Sequence, residues 1–143
     1  MEITTVSGKD THGERVVPSL DEWLREAKRE AAARGCGMYL FHNGVVRETA
    51  RAAVREGVLN TAPVRGMRFS YDAEKTEAAK AMALAMPGIR CVRVWLNSGE
   101  LKVGDDIMLV LVGGDIRPHV VDALQALVDE IKRHCVTETE ISE

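Results

Sequence analysis

Three stretches of the chain repeat their apolar residues at helical spacing. The first follows a capping box formed by Ser19 and Glu22, and it predicts a helix over 20–34. The second is rich in alanine and methionine and predicts a helix over 72–86. The third begins at Pro118 and gives the clearest amphipathic helix of the chain. Its apolar face consists of Val120, Val121, Leu124, Leu127, Val128 and Ile131.

Shorter apolar runs between these helices predict β-strands. The runs are too short for helices and are bounded by glycine, proline and an Asn-Ser-Gly turn. A bulge is expected near Gly44, and the segment 49–57 is predicted to be a short helix or a loop. The last three runs are predicted to be hairpin partners. In chain order the predicted strands cover 15–17, 38–46, 65–71, 89–96, 101–103 and 107–112.

The order of these elements indicates the fold class. Strands and helices neither alternate strictly nor fall into separate halves, so we expect an α+β domain with a mostly antiparallel sheet and helices packed on one face. Residues 1–13 are polar and are predicted to form a flexible N-terminal arm. Residues 14–136 are predicted to form a single domain, and residues 137–143 an acidic tail that is frayed or docked on a partner.

Composition excludes several classes of protein. The 143 residues are 45% hydrophobic, which suits one globular domain, and the net charge of −3 argues against a nucleic-acid or anionic-membrane binder. The longest apolar run, 107–112, is far shorter than the roughly 20 residues of a membrane-spanning helix. We find no secretory signal and expect a cytoplasmic protein. The three cysteines are scattered and odd in number, so we expect no disulfide framework. The four histidines lack the spacing of metal ligands, so we expect no metal site, and we expect no cofactor.

A basic stripe is the densest candidate for function. The window 44–68 contains five arginines and only two acids, although the whole chain is acidic. If the segment 49–56 is helical, Arg47, Arg51 and Arg55 share one face, which would suit an anionic ligand. Surface arginines also line up in this way without a ligand, so a solvated basic face stays open.

Two further candidates lie near the ends of the last helix. Gly113 and Gly114 lead into Arg117, where backbone donors, the helix dipole and a guanidinium would converge on an anion. The alternative is a turn that needs glycine only for its backbone angles. Lys132 would act as a nucleophile or an acid–base group if its surroundings lowered its proton affinity, or it simply complements the helix dipole.

The ordered set of motifs resembles one family. Phe41 to Arg47, with the sequence FHNGVVR, is followed by FSY before an alanine-rich helix, by the hairpin SGEL…GD, and by the 15-residue interval from Arg117 to Lys132. This order is similar to that of the large, catalytic subunit of molybdopterin synthase. The resemblance covers roughly residues 14–140.

The resemblance implies a fold, a reaction and partners. The family has an α/β hammerhead-type fold, forms homodimers and receives the C-terminal Gly-Gly thiocarboxylate of a small ubiquitin-like subunit. Sulfur then passes to a pterin phosphate, cyclic pyranopterin monophosphate. By this resemblance Lys132 is the catalytic residue and Arg47 and Arg117 bind substrate, and we add Arg51 from the basic stripe.

The chain departs from the family pattern at three places. Ile116 stands where the family has a histidine, Thr139 falls where a second pocket lysine is expected, and Thr137-Glu138 replaces a Trp-Lys pair. A catalytically impaired homologue that acts as a dimeric binding or regulatory protein is therefore an open alternative, as is an unrelated α+β ligand-binding module. A 15-residue helix spans about 22 Å. Arg117 and Lys132 are therefore expected to meet only across a two-fold axis.

Overall fold

The computed structural model describes residues 15–57 and 62–142. The predicted arm over 1–13 lies outside the described residues. The helices are α1 (Leu20–Arg29), α2 (Arg51–Arg55), α3 (Ala73–Leu84) and α4 (Arg117–Glu130), with a 3-10 segment at Ala31–Gly35 and a π-turn at Ile131–Cys135. The strands are β1 (Met38–Val45), β2 (Val64–Tyr71), β3 (Ile89–Leu96), β4 (Gly99–Lys102), β5 (Asp106–Gly114) and β6 (Val136–Ser142). The α+β class is confirmed.

The strands form two antiparallel sheets of three strands each. The first sheet has the order β1-β5-β3 and the second the order β4-β2-β6. β3 and β5 pair as predicted, but β4 leaves that hairpin and pairs with β2. The buried Asn97 stabilises the chain at the point where it leaves β3. Its side chain donates to the Asp106 carbonyl at 2.9 Å and accepts from the Ser98 amide at 2.8 Å.

The first sheet is covered on both faces. α3 and α4 pack on one face, where Ala83 and Leu127 contact the buried side chains of β3 and β5. α1 covers the opposite face with Trp23 and Ala27, which pack against a separate cluster that includes Trp95. Because β5 is buried on both sides, its sequence is an unbroken apolar run and not an alternating one.

Two predictions near the N-terminus are wrong. Residues 15–17 form no strand, and α1 ends at Arg29 instead of continuing to 34. Glu30 has extended backbone angles, and the chain then enters the 3-10 segment. Ala31 and Ala32 are exposed, so a longer helix would have no apolar face to bury there.

The C-terminal segment is a strand and not a frayed tail. β6 pairs with β2 along its length, from Tyr71 opposite Val136 to Val64 opposite Ser142. Its side chains alternate, with Glu138 and Glu140 partly buried and Thr137 and Thr139 exposed. Carboxylates at the inward positions removed the apolar signal by which a strand is recognised. No helix in the described part of the chain is long and apolar enough to cross a membrane.

Candidate functional site

A charged cleft lies where the end of β1, α2, the π-turn and β6 come together. We call it the α2–β6 cleft, and its lining consists of Val45, Arg47, Arg51, Arg55, Met67, Ile107, Lys132, Glu138 and Glu140. A space of about 250 Å³ adjoins it, shares Arg51, Arg55, Lys132 and Glu138 with it, and adds Asp129 and Arg133. The predicted residues Arg47, Arg51 and Lys132 therefore lie in one place, although they are far apart in sequence.

Arg47 is held by the end of β1. The preceding residue, Val46, is buried, and its backbone donates to the Asp105 carbonyl at 3.0 Å and accepts from the Gly104 amide at 2.9 Å. The Arg47 Nε donates to the Thr49 carbonyl at 2.8 Å. The expected irregularity is present between Gly44 and Val45. The guanidinium thus points from a fixed backbone into the cleft.

Arg51 and Arg55 are carried by α2, one helical turn apart, and both reach the cleft. Arg51 is bound to β6 twice. Its amide donates to Glu140 Oε2 at 3.0 Å, and its Nη2 donates to Glu138 Oε1 at 3.2 Å. The basic stripe is therefore not a purely solvated face. Its arginines also differ from one another, because Arg51 is bound to carboxylates of β6.

Lys132 lies on the π-turn that extends α4. The flanking residues Ile131 and Cys135 are buried and fix the turn against the core, while the Lys132 side chain is exposed at the cleft. Two other lysines, Lys80 and Lys102, do not take the place of the missing second pocket lysine. Lys80 is buried on α3 with its Nζ 3.1 Å from Glu77 Oε2, and Lys102 is exposed on β4. Neither lines the α2–β6 cleft.

His42 lies on β1, within electrostatic range of Lys132. It is half-buried, and it lines a neighbouring pocket with Leu124, Gln125, Val128 and Asp129. Its Nε2 is shielded from solvent and makes no hydrogen bond within the described part of the chain. Burial, followed by the positive charge of Lys132, lowers the pKa of His42 below its ordinary value of 6.5. No spacing in the sequence connects His42 with the basic residues.

This lowered pKa predicts how stability depends on pH. Below about pH 6.5 the unfolded chain binds a proton at His42 more readily than the folded protein, so the free energy of unfolding decreases as the pH falls. His42→Leu is expected to reduce this slope, measured by urea unfolding at about pH 7.5 and about pH 5.5. His42→Gln keeps a polar side chain and should reduce it equally. An unchanged slope in both variants would show that His42 does not cause it.

Arg117 is separated from the cleft. It is the first residue of α4, it is exposed, and it lies 15 positions before Lys132 in the chain. The helix and π-turn place them about 22 Å apart along the axis. Near Arg117, Asp115 Oδ1 accepts from the Ile116 amide and lies 2.7 Å from His119 Nδ1. The bond with His119 is the main cause that lowers the pKa of Asp115.

The position at which the family resemblance implies a second pocket lysine does not face the cleft. Thr139 is exposed and lies opposite Arg68 on the outer face of the β2–β6 pair. Glu138 and Glu140 are the β6 residues that face the cleft. Sequence reasoning missed both as cleft residues, and the available signal was the alternation of glutamate and threonine over 137–140.

Two of the three cysteines do not suit nucleophilic chemistry. All three are free thiols. Burial raises the pKa of Cys91 to about 11 and also raises that of Cys135, so the reactive thiolate is disfavoured. Among residues 15–57 and 62–142, no three His, Cys, Asp or Glu side chains are grouped in a way that would hold a metal ion.

Comparison with known sequences assigns the family. The sequence model described as MoaE protein matches residues 19–134, from the N-cap of α1 to the π-turn. The chain belongs to the MoaE family. This membership supports a role in molybdenum cofactor biosynthesis and confirms the resemblance seen in the sequence. The match includes Arg47, Arg117 and Lys132 but ends before β6.

Solved structures of the MoaE type share the fold at low sequence identity. Molybdopterin synthase from Staphylococcus aureus has a TM-score of 0.68 and 17% identity, and the alignment covers 94% of this chain and 93% of that one. A MoaE protein from Burkholderia ambifaria has a TM-score of 0.65 and 17% identity, with 89% and 84% covered. A complex of subunits 1 and 2 of molybdopterin-converting factor from Helicobacter pylori gives 0.62 and 15%, with 99% and 84% covered. No curated protein matches the chain at a significant level.

Proposed function

We propose that this MoaE-family chain is the large subunit of a molybdopterin synthase. In this reaction sulfur passes from the thiocarboxylate of a small ubiquitin-like subunit to cyclic pyranopterin monophosphate. One observation carries the proposal: Arg47 and Lys132, which the family resemblance names as substrate-binding and catalytic, line the same cleft.

The charges of the cleft fit this chemistry. The pterin phosphate and the thiocarboxylate are both anions, and guanidinium groups bind such oxyanions through charge-assisted hydrogen bonds. Arg47 and Arg55 supply these donors, and the Lys132 amine supplies a group that can attack a carbonyl carbon or move a proton. The exposed position of Lys132 leaves it open to an incoming protein tail.

A small-subunit partner is supported by the Helicobacter pylori relative, whose structure is a protein–protein complex of the two subunits. The proposal further requires a homodimer. Because Arg117 lies at the far end of α4 from the cleft, it contributes to a site only if it comes from the second subunit. Each dimer would then contain two composite sites, with Lys132 of one chain near Arg117 of the other.

Substrate binding gives a direct prediction for Arg47. Arg47→Ala is expected to raise the Kd for cyclic pyranopterin monophosphate by about 10- to 100-fold, because a charged hydrogen bond to the phosphate is lost. Isothermal titration calorimetry on the purified chain measures the change. Arg34→Ala removes an exposed arginine of the 3-10 segment and is the matched control. Equal affinities of the Arg47→Ala and Arg34→Ala proteins would contradict the assignment.

A second function is favoured by the two carboxylates of β6. Glu138 and Glu140 face the cleft on the strand for which the family resemblance implies a lysine, and they place negative charge beside an anionic substrate. A homologue that binds the small subunit or the pterin but transfers no sulfur would have this feature. The two functions differ in one measurable result, since only the synthase forms product after both ligands are bound.

A further inference from the structure

The cleft contains an ion pair that is internal to the protein. Glu138 Oε1 lies 3.2 Å from Arg51 Nη2, and the Glu138 side chain is only 10% exposed. Glu140 Oε2 accepts from the Arg51 backbone amide at 3.0 Å. One residue of α2 is therefore held by two carboxylates of β6, one on its side chain and one on its main chain.

This pairing divides the cations of the cleft into two groups. Arg51 already has a carboxylate partner, whereas Arg47, Arg55 and Lys132 line the same cleft without a carboxylate partner among the described residues. Arg47 uses its Nε on the Thr49 carbonyl and keeps its terminal nitrogens for other partners. An anion that enters near β6 meets Glu138 and Glu140, and one that enters near β1 meets Arg47.

The carboxylates also change the energy of binding. A phosphate that binds the Arg51 guanidinium must displace the Glu138 carboxylate. At short range it is repelled by that carboxylate and by Glu140. A small free oxyanion that binds Arg47, Arg55 or Lys132 instead loses Arg51 as a donor, and it has no further atoms whose contacts would make up for this loss. A larger ligand whose phosphate reaches Arg47, Arg55 or Lys132 avoids the competition and gains contacts from its remaining atoms.

We propose that Glu138 and Glu140 are specificity-determining residues, which hold Arg51 as an internal counter-ion and thereby reject small free oxyanions such as inorganic phosphate. The inference rests on the proposed function, because it assigns the remaining cations to a phosphate that is part of a larger substrate. It gives β6 a role in ligand selection, although this strand lies beyond the residues that match the family.

The test is the affinity of the purified chain for inorganic phosphate, measured by calorimetry at low ionic strength. Glu138→Gln keeps the size of the side chain and removes its charge. It is expected to lower the Kd for phosphate by about tenfold, because the side chain at position 138 no longer competes as a carboxylate for the Arg51 guanidinium. Glu140→Gln should act in the same direction, and the gain should shrink at high salt. Glu100→Gln is the control, because Glu100 is exposed on β4 and its Oε2 lies 3.9 Å from Arg68 Nε.

A second background separates competition for Arg51 from a general effect of charge. In the Arg51→Met protein, adding Glu138→Gln should produce at most about a twofold gain, because the guanidinium that phosphate would capture is absent. The inference is overturned if Glu138→Gln leaves phosphate affinity unchanged or lowers it, or if the gain is as large in the Arg51→Met background. Thermal melting checks that each variant is folded, and Glu140→Gln serves alone if Glu138→Gln is not.

The same measurements separate this inference from the proposed function. Phosphate binding requires neither the small subunit nor sulfur transfer. A gain in phosphate affinity without any sulfur transfer by the wild-type protein would support the ion-pair inference and contradict the synthase. Sulfur transfer together with unchanged phosphate affinity in both glutamate variants would do the reverse.

Discussion

Lys132→Ala is expected to lower the single-turnover rate of sulfur transfer by at least about 100-fold, the usual size of the effect when a positioned nucleophile or acid–base group is removed. Lys132 is the lysine that the described residues contribute to the α2–β6 cleft, so no neighbouring amine is placed to replace it. The measurement uses the purified chain, a thiocarboxylated small subunit and cyclic pyranopterin monophosphate, with molybdopterin detected as its fluorescent oxidation product.

Two further variants show what Lys132 contributes. Lys132→Arg keeps the positive charge but has no amine that could attack or exchange a proton at neutral pH, so it should be nearly as slow as Lys132→Ala. Lys28→Ala removes an exposed lysine of α1 and should react at the wild-type rate. If Lys132→Arg is as fast as the wild-type protein, Lys132 acts only through its charge, and its catalytic assignment is wrong.

The second large effect concerns Arg117 and the dimer. Arg117→Ala and Lys132→Ala homodimers should each be inactive, because every composite site lacks one residue. After subunit exchange, half of the dimers are mixed, and each mixed dimer has one site with both residues intact. The mixture should therefore recover about one quarter of the wild-type activity.

Recovery depends on residues from two chains, which makes the result specific. If Arg117 and Lys132 acted within one chain, mixing would restore nothing, because no chain carries both. A monomeric protein in sedimentation measurements would exclude the composite site as well. An Arg117→Ala homodimer with full activity would remove Arg117 from the site altogether.

Most of the fold followed from the hydrophobic pattern, and its failures have physical causes. The apolar stripe after Pro118 identified α4, because a helix buried on one face repeats its apolar residues at helical spacing. The unbroken apolar run at 107–112 identified β5, because a strand buried on both faces has no polar alternation. The helix over 20–34 was predicted too long because alanine favours a helix even where it is exposed, and Glu30 ends α1 through an extended backbone. β6 was missed because its inward positions carry glutamate.

The site was predictable in part. The spacing of the arginines placed Arg47 and Arg51 on one surface, and the family resemblance added Lys132; the structure brings all three to one cleft, and their roles stay predictions. The involvement of Glu138, Glu140 and His42 could be recognised only from the three-dimensional structure. Their approach to Arg51 and Lys132 depends on the β2–β6 register and on the π-turn, and neither is encoded in local spacing.

The most direct test of the central claim is sulfur transfer by the wild-type chain itself. The purified protein, the thiocarboxylated small subunit from the same genome and cyclic pyranopterin monophosphate are mixed in a single-turnover experiment, and molybdopterin is followed over time. The synthase assignment predicts that molybdopterin forms as the thiocarboxylate is consumed. A stable complex with the small subunit that consumes no thiocarboxylate and forms no molybdopterin would contradict it, and would identify the chain as a binding homologue.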